Sequence, residues 1–245
     1  MRDFELAKQL ISNLDLTALN KNDTDDTVIN LCKKAITADH NVAAVCIWPK
    51  FVHIAAKFLK ESNVSVATVV NFPHGDIKTE PVASEIKKSL SSGADEIDAV
   101  FPYKAFLDGD IDSCRNFIDT VSRLTKNVTL KIILESGAFP HVRQLRDACN
   151  LCLEYDIDFL KTSTGKTEIS ATPEAANVIL ETIKSSKREV GFKASGGIKT
   201  FEQARQYFAL AQTIMGAKWP LDIRHFRIGA SSLLDDLNKT INKGK

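Results

Sequence analysis

Two lysines and one aspartate stand alone within short apolar segments of the sequence. Lys161 lies in Phe-Leu-Lys-Thr-Ser, Lys193 in Gly-Phe-Lys-Ala-Ser and Asp98 in Glu-Ile-Asp-Ala-Val. Side chains alternate between the two faces of a β-strand, so the apolar neighbours of each charged residue point away from it. If helices cover the apolar faces, the three charged groups all point to the opposite, interior side.

A lysine amine becomes a good nucleophile only when its ammonium form is destabilised. The ordinary pKa of ~10.4 leaves under a thousandth neutral at pH 7, so activation requires lowering the pKa by ~3 units, or ~4 kcal/mol. Lys161 and Lys193 fall on consecutive predicted strands ~4.8 Å apart, and a second cation at ~4 Å contributes ~4 kcal/mol at an effective dielectric constant of 20. A neutral amine of this pair would attack an aldehyde or ketone to give an iminium, with Asp98 placed to accompany the proton transfers.

The elements that must position these residues recur eight times along the chain. Runs rich in β-forming residues lie near 13–17, 42–48, 65–72, 96–101, 129–135, 159–163, 190–195 and 226–230. Each precedes a segment with helical spacing: Thr24–Thr37, Lys50–Lys60, Thr79–Ser92, Ile111–Lys126, His141–Tyr155, Thr172–Ser186, Thr200–Met215 and a short one from Ser232. This alternation predicts an α/β fold, a (β/α)₈ TIM barrel forming one domain over residues 1–245. A doubly wound open sheet alternates in the same way, so periodicity alone leaves it open.

Two helical segments have recognisable N-termini. Thr172-Pro-Glu174 places proline at the first helical position, and Thr200-Phe-Glu-Gln203 fits a capping box. We therefore expect helices to begin directly after Thr172 and Thr200.

The alternation along the predicted strands directs further polar side chains into the barrel: Asp15, Thr17, Lys131, Glu135, Ser163 and Ser195. A barrel interior is packed, and burying an ion costs several kcal/mol unless it is paired. The converging charges therefore form either a salt-bridge network that only satisfies itself or a reaction site. We favour the reaction site.

Glycine-containing loops follow the last three predicted strands. They are Ser163-Thr-Gly-Lys166, Ser195-Gly-Gly197 and Gly229-Ala-Ser-Ser232. Glycines let backbone amides approach an anion, and loops after strands seven and eight form the recurrent phosphate site of TIM barrels. Ordinary turn geometry also explains a Gly-Gly pair, but together the loops predict local recognition of an anion.

The composition excludes several classes of function. Lys and Arg number 32 and Asp and Glu 31, so the net charge of +1 provides no broad attraction for nucleic acid or a membrane surface. The first eight residues carry charges where a signal peptide needs an apolar run, and Val42–Trp48 is too short to span a membrane. We expect a cytoplasmic protein.

The cysteines and histidines give no metal signature. Cys149 and Cys152 form a C-x-x-C within an apolar helical segment, which predicts helix packing. The histidines show no paired ligand spacing: His40, His53, His74, His141 and His225. We therefore expect no metal site and no metal-dependent aldol chemistry.

Longer motifs surround the charged residues. The most specific are Glu96-Ile-Asp-Ala-Val-Phe-Pro-Tyr103, Phe159-Leu-Lys-Thr-Ser-Thr-Gly-Lys166 and Val190-Gly-Phe-Lys-Ala-Ser-Gly-Gly197. Others are Leu14-Asp-Leu-Thr-Ala-Leu19, Val45-Cys-Ile-Trp-Pro49, Val70-Asn-Phe-Pro-His-Gly75 and Phe226-Arg-Ile-Gly-Ala-Ser-Ser232. Together they cover nearly the whole chain and resemble the 2-deoxyribose-5-phosphate aldolase family of class I aldolases.

The resemblance implies a role for each matching residue. Lys161 would form the Schiff base, while Lys193 would perturb its pKa and join a proton relay with Asp98. The residues implied to surround the substrate phosphate are Lys166, Gly196, Gly197, Ser231 and Ser232. Those implied to lie nearer the sugar or aldehyde are Asp15, Thr17 and Cys46.

The activity implied is reversible cleavage of 2-deoxy-D-ribose 5-phosphate to D-glyceraldehyde 3-phosphate and acetaldehyde, with no metal or organic cofactor, in a possible homodimer. Some family members end in a tyrosine that reaches the active site, whereas this sequence ends Thr240-Ile-Asn-Lys-Gly-Lys245, so that donor is expected to be absent or replaced.

Another Schiff-base barrel aldolase or transaldolase remains an alternative. So does a sugar-phosphate binding protein without chemistry.

Overall fold

Eight parallel strands close into a barrel in chain order, with β8 pairing with β1. The computed structural model describes residues 1–36 and 40–244. The strands are β1 (Leu14–Ala18), β2 (Ala44–Ile47), β3 (Ser65–Val70), β4 (Glu96–Val100), β5 (Thr129–Ile133), β6 (Phe159–Lys161), β7 (Gly191–Ser195) and β8 (Phe226–Ala230). The predicted TIM barrel is confirmed, and closure rules out the doubly wound sheet.

Helices alternate with the strands. They are α1 (Asp3–Ser12), α2 (Asp25–Ala35), α3 (Val52–Leu59), α4 (Thr79–Ser91), α5 (Tyr103–Leu107), α6 (Ile111–Leu124), α7 (Val142–Leu153), α8 (Pro173–Ser186), α9 (Phe201–Met215) and α10 (Leu233–Lys243). Every predicted helical segment contains a helix, although Thr37, the predicted end of the first, lies outside the described residues. Within the described chain, no helix combines the length and apolar character needed to cross a membrane.

Two helices were not predicted because each is additional to the single helix expected after every strand. Helix α1 precedes β1 and buries one face that includes Leu6, Leu10 and Ile11. It packs against α10, so the two ends of the described chain cover neighbouring parts of the barrel. Helix α5 is a five-residue turn between β4 and α6.

The predicted helix starts at Thr172 and Thr200 are confirmed. The Thr172 hydroxyl accepts a hydrogen bond from the backbone N–H of Ala175 at 3.1 Å, and Pro173 is the first helical residue. The Thr200 hydroxyl accepts from the Gln203 N–H at 3.3 Å, while the Gln203 side chain accepts from the Thr200 N–H at 3.2 Å. Each cap satisfies backbone donors that the first helical turn leaves unpaired.

The main apolar core lies between the barrel and its helices. Leu14 and Leu16 of β1 and Ile97 and Ala99 of β4 are buried there, as the alternation of side chains predicts. The same core contains both cysteines of the C-x-x-C on α7, which confirms their packing role. The charged neighbours of these apolar residues consequently face the barrel interior.

Strand β6 is shorter than predicted. It ends at Lys161, but Thr162 still contacts β7: its backbone N–H donates to the Lys193 carbonyl at 3.0 Å. Its hydroxyl oxygen accepts from the Ser195 N–H at 2.9 Å and lies 3.1 Å from the Ser195 carbonyl oxygen. The backbone and side chain of Thr162 thus hold the chain against β7 for one residue beyond Lys161, and the loop toward the cleft begins after Thr162.

Candidate active site

Seven charged side chains meet inside the barrel and form a connected set of ion pairs, called here the interior ion cluster. Its members come from six strands, and their exposed fractions are 4% or less: Asp15, Glu96, Asp98, Lys131, Lys161, Lys193 and Arg227. A cluster of this kind persists in a low-dielectric interior only if each charge is compensated by close partners.

Strand register brings the cluster together. Lys161 of β6 lies directly beside Lys193 of β7, and Lys193 lies beside Arg227 of β8. Asp98 of β4 lies beside Lys131 of β5. Residues paired in register on adjacent parallel strands point to the same face, so these cationic and acidic side chains converge.

Asp98 joins the three lysines of the cluster. One carboxylate oxygen, Oδ2, accepts from the Lys161 Nζ at 2.7 Å and from the Lys193 Nζ at 2.8 Å. The other oxygen, Oδ1, accepts from the Lys131 Nζ at 2.9 Å. The structure therefore brings together Lys161, Lys193 and Asp98, the three residues predicted as catalytic.

Glu96 and Arg227 complete the cluster and were not singled out from the sequence. The Arg227 guanidinium donates to Asp15 at 2.7 Å and to Glu96 at 3.2 Å. Asp15 also accepts from Lys193, and Glu96 from Lys131. The signal was available: Glu96 shares strand parity with Asp98, and Arg227 stands between two apolar residues of β8.

The pKa values of the two neighbouring lysines are shifted in opposite directions. Burial lowers the pKa of Lys161, and the positive charge of Lys193 lowers it further, although Asp98 acts in the other direction. Burial also opposes the charge on Lys193, but the carboxylates of Asp15 and Asp98 outweigh it and raise its pKa. Lys161 is thus the lysine of this pair that loses its proton more readily.

Asp15 and Asp98 remain ionised despite their burial. The charges of Lys193 and then Arg227 hold the pKa of Asp15 well below its usual range. Lys131, Lys161 and Lys193 do the same for Asp98. The barrel interior therefore contains permanent negative charges, and these charges determine which lysines keep their protons.

A cleft of about 620 Å³ opens at the carboxyl ends of β1, β6, β7 and β8. Its lining consists of Thr17, Leu19, Asn20, Thr164, Gly165, Lys166, Ser195, Gly196, Gly197, Ile198, Lys199, Gly229, Ala230 and Ser231. Lys161 ends the strand that leads into this lining. Its side chain is 4% exposed, whereas those of Lys131 and Lys193 are fully buried.

Four of the five residues predicted to surround phosphate line the cleft: Lys166, Gly196, Gly197 and Ser231. Gly196 and Gly197 have φ values of 93° and 81°, a left-handed conformation that strongly favours glycine. The Lys166 Nζ donates to the Leu19 carbonyl at 2.7 Å across the cleft. The fifth, Ser232, is exposed at the N-terminus of α10 and does not line the cleft.

The three residues predicted to contact the sugar or aldehyde occupy different depths. Thr17 lines the cleft and donates its hydroxyl to the Asp15 backbone carbonyl at 2.9 Å. Cys46 is buried, and burial followed by the charge of Asp98 raises the pKa of its thiol. Asp15 lies in the interior ion cluster with both oxygens occupied, so a direct sugar contact stays a prediction.

Glu135, also predicted to point inward, supports the loop that carries Lys166. Its buried carboxylate accepts from the N–H of Thr164 at 3.3 Å and from the Thr164 hydroxyl. The Thr164 hydroxyl oxygen in turn accepts from the Lys166 N–H at 3.1 Å. Glu135 therefore fixes the backbone conformation at the edge of the cleft.

Among the described residues, no group of three or more His, Cys, Asp and Glu side chains is arranged to hold a metal ion. The absence of metal and cofactor expected from the sequence stays a prediction.

An eight-stranded barrel with a charged cluster in its interior, and with polar loops that line a cleft at the carboxyl ends of its strands, has the architecture of a TIM-barrel enzyme. Residues 9–239 match the family described as DeoC/LacD family aldolase, and the chain belongs to that aldolase family.

Solved structures agree with this assignment. A Coccidioides immitis protein assigned as a deoxyribose-phosphate aldolase is similar, with 27% identity and a TM-score of 0.85 over 96% of this chain and 86% of that one. A Toxoplasma gondii protein with the same assignment shares the fold at 23% identity, a TM-score of 0.90, and 98% and 97% coverage. The tetrameric deoxyribose phosphate aldolase of Aeropyrum pernix shares it at 23% identity, a TM-score of 0.79, and 95% and 91% coverage.

Proposed function

We propose that this chain is a Schiff-base aldolase that reversibly cleaves 2-deoxy-D-ribose 5-phosphate to D-glyceraldehyde 3-phosphate and acetaldehyde. The observation that carries the proposal is the position of Lys161. It is the cluster lysine with a lowered pKa, its side chain is 4% exposed, and the loop that follows its strand lines the cleft. Membership of the aldolase family and the similarity to the Coccidioides immitis protein support the same activity.

The reaction begins with attack of the neutral Lys161 amine on the substrate aldehyde carbon, C1. Loss of water gives an iminium, and removal of the proton from the C3 hydroxyl breaks the C2–C3 bond. The bond electrons move into the iminium and produce an enamine, while the C3 fragment leaves as D-glyceraldehyde 3-phosphate. Protonation of the enamine carbon and hydrolysis of the resulting iminium release acetaldehyde and restore Lys161.

Asp98 and Lys193 are the groups placed to move protons near Lys161. One Asp98 oxygen contacts the Nζ atoms of both lysines, so it links the nucleophile to a protonated neighbour. Lys193 holds its proton because Asp15 and Asp98 raise its pKa. It therefore supplies positive charge that favours a neutral Lys161, and it can return a proton through Asp98.

The phosphate is assigned to the cleft loops. Backbone at the left-handed glycines Gly196 and Gly197, the Lys166 ammonium and the Ser231 hydroxyl provide donors and positive charge on one side of the cleft. In this assignment the substrate aldehyde points down toward Lys161, and the phosphate stays near the loops.

Borohydride trapping tests the covalent role of Lys161. Incubation with substrate and borohydride should yield a reduced adduct that peptide mass spectrometry locates at Lys161. Lys161→Ala should abolish the adduct and lower cleavage by several orders of magnitude, because the nucleophile is lost. Lys184→Ala is the matched control: this lysine lies on α8, donates to the Ile214 carbonyl and should leave trapping unchanged. Undiminished trapping in Lys161→Ala would refute the assignment.

Product identification tests the substrate. Deoxyribose 5-phosphate should yield acetaldehyde and D-glyceraldehyde 3-phosphate, and EDTA should not reduce the rate. Imine formation without these products would favour another Schiff-base aldolase or a transaldolase. Tight binding without imine or product would favour a sugar-phosphate binding protein.

Assembly and location belong to the same proposal. We propose a homodimer located in the cytoplasm, as expected from the sequence, although the Aeropyrum pernix relative is a tetramer. Light scattering after size-exclusion chromatography distinguishes the two assemblies by mass.

A further inference from the structure

The interior ion cluster contains unequal numbers of acidic and basic groups. Three members are carboxylates, Asp15, Glu96 and Asp98, and four are basic: Lys131, Lys161, Lys193 and Arg227. If every basic group were protonated, one positive charge would have no matching carboxylate. Because an uncompensated ion is costly in the interior, the cluster favours the loss of one proton.

The ion pairs within the cluster indicate which basic group loses a proton. Asp15, Glu96 and Asp98 all lie within ion-pair distance of the Lys131 ammonium, two carboxylates contact Lys193, and two contact Arg227. Within the cluster, Lys161 contacts only Asp98, which is shared with both other lysines. Lys161 is therefore the least compensated cation.

Arg227 is the basic group that cannot give up its proton in this setting. A guanidinium stays charged at every pH at which proteins are folded. Arg227 occupies one oxygen of Asp15 and one of Glu96, and two cluster lysines compete for the remaining oxygens of these carboxylates. The carboxylates left for the three lysines are accordingly one charge short.

We infer that Arg227 is a positioning residue that keeps the Lys161 amine neutral by occupying carboxylate charge that the lysines would otherwise share. The inference rests on the proposed function only in assigning Lys161 as the nucleophile. Arg227 acts through Asp15, Lys193 and Asp98, because its own ion pairs are with Asp15 and Glu96 and not with the Lys161 partner Asp98.

The charged and titratable surroundings of Lys161 come from all sides of the barrel. Besides Asp98, they include Lys193 on β7 and Cys46 on β2, and beyond them Asp15, Glu96, Lys131 and Arg227. Glu135 follows the neighbouring strand β5, and its buried carboxylate accepts a hydrogen bond from the Thr164 N–H. None of the substitutions below removes Glu135 or Cys46, so their effects remain constant.

The pH dependence of Lys161 reactivity tests the inference without a sugar substrate. Reductive methylation by formaldehyde and cyanoborohydride requires a neutral amine, and peptide mass spectrometry reports its rate at Lys161. Arg227→Met removes one cation and should move the midpoint of the Lys161 profile upward by about one pH unit or more. Arg227→Lys retains a cation and should leave the midpoint near that of the natural sequence.

A compensating pair separates charge from packing. Glu96→Gln removes one carboxylate and should lower the Lys161 midpoint. Arg227→Met combined with Glu96→Gln again leaves one excess basic group and should return the midpoint toward its original value. A merely structural role for Arg227 would not produce opposite shifts that cancel. If Arg227→Met alone does not fold, Glu96→Gln and the double variant still decide the question.

Folded variants whose midpoints all stay within about 0.3 units of the starting value would overturn the inference. So would a double variant that fails to restore the midpoint. Arg188→Met is the control for loss of an arginine, because Arg188 binds backbone carbonyls outside the barrel interior.

Borohydride trapping with deoxyribose phosphate is measured in parallel. Shifted midpoints without any sugar adduct would refute the proposed function and leave the role of Arg227 intact.

Discussion

Lys161 and Lys193 are both lysines and are paired in register on adjacent strands, yet Lys161 loses its proton more readily than Lys193. Lys193 has two carboxylate partners, and Lys161 contacts one that it shares. Burial penalises both ammonium groups, so the difference in compensation decides which amine becomes available for chemistry.

Removing the positive charge of Lys193 should therefore weaken the nucleophile. The folded-state pKa of Lys161 lies below its ordinary value, so the neutral amine persists at lower pH than in a free lysine. Lys193→Leu should raise that pKa by about 2 units and shift imine formation to more alkaline pH. The rate of borohydride trapping against pH measures the shift. Lys193→Arg, which keeps the cation, should show a smaller change, and a profile unchanged in the leucine variant would contradict electrostatic activation.

At the scale of elements, interior side chains of β7 occupy the space that a side chain at Gly229 of β8 would need. A Cβ atom on Gly229 would lie 2.1 Å from the Ser195 Oγ and 3.1 Å from the Lys193 Cε. Both contacts are on the strand face that carries the interior cluster. The absence of a side chain at Gly229 therefore leaves room for the side chains of Ser195 and Lys193.

Gly229→Ala should test this close approach. Overpacking should reduce the free energy of unfolding by about 1–3 kcal/mol and displace Lys193, which should also reduce activity. Urea unfolding and the rate of substrate cleavage measure the two effects. Ser195→Ala removes the Oγ atom that lies closest, so the double variant should recover part of the stability. An equally stable single variant would show that the Ser195 and Lys193 side chains move aside without cost.

At the scale of the whole molecule, the ion pairs of the interior cluster join strands across the closed barrel. They make the free energy of unfolding depend on pH under acidic conditions. The pKa values of Asp15 and Asp98 are lowered in the folded state. Their stabilising contribution is therefore present above the unfolded value of ~3.9 and is lost as pH falls through their folded values. Each carboxyl loses about 1.4 kcal/mol per pH unit within that window.

The free energy of unfolding, measured in urea between pH 7 and pH 2, should consequently fall steeply below about pH 4. Lys193→Leu removes a partner of both aspartates, so it should lower stability at neutral pH and make the acid dependence shallower. Glu5→Gln, at a solvent-exposed side chain of α1 outside the cluster, is a control that should retain the steep dependence. Parallel curves for the natural sequence and Lys193→Leu would show that these pairs do not govern acid stability.

Much of this molecule was determined by patterns that are local in sequence. Strand and helix periodicities predicted the barrel, the caps at Thr172 and Thr200 predicted two helix starts, and side-chain alternation placed Asp98, Lys161 and Lys193 on one face. Each pattern depends on neighbours a few residues apart, where backbone geometry alone decides side-chain direction. The same alternation puts Glu96 on the face of Asp98, and it puts Arg227 on the face opposite Phe226 and Ile228.

Only the tertiary structure decided which acid meets which base. Asp15 and Arg227 are 212 residues apart and become partners because β8 closes on β1. The sequence likewise did not specify that Asp15 would be occupied by cations, that Ser232 would lie outside the cleft, or that α1 would pack against α10. Such pairings depend on register and closure of the entire barrel, and no local pattern of residues contains that information.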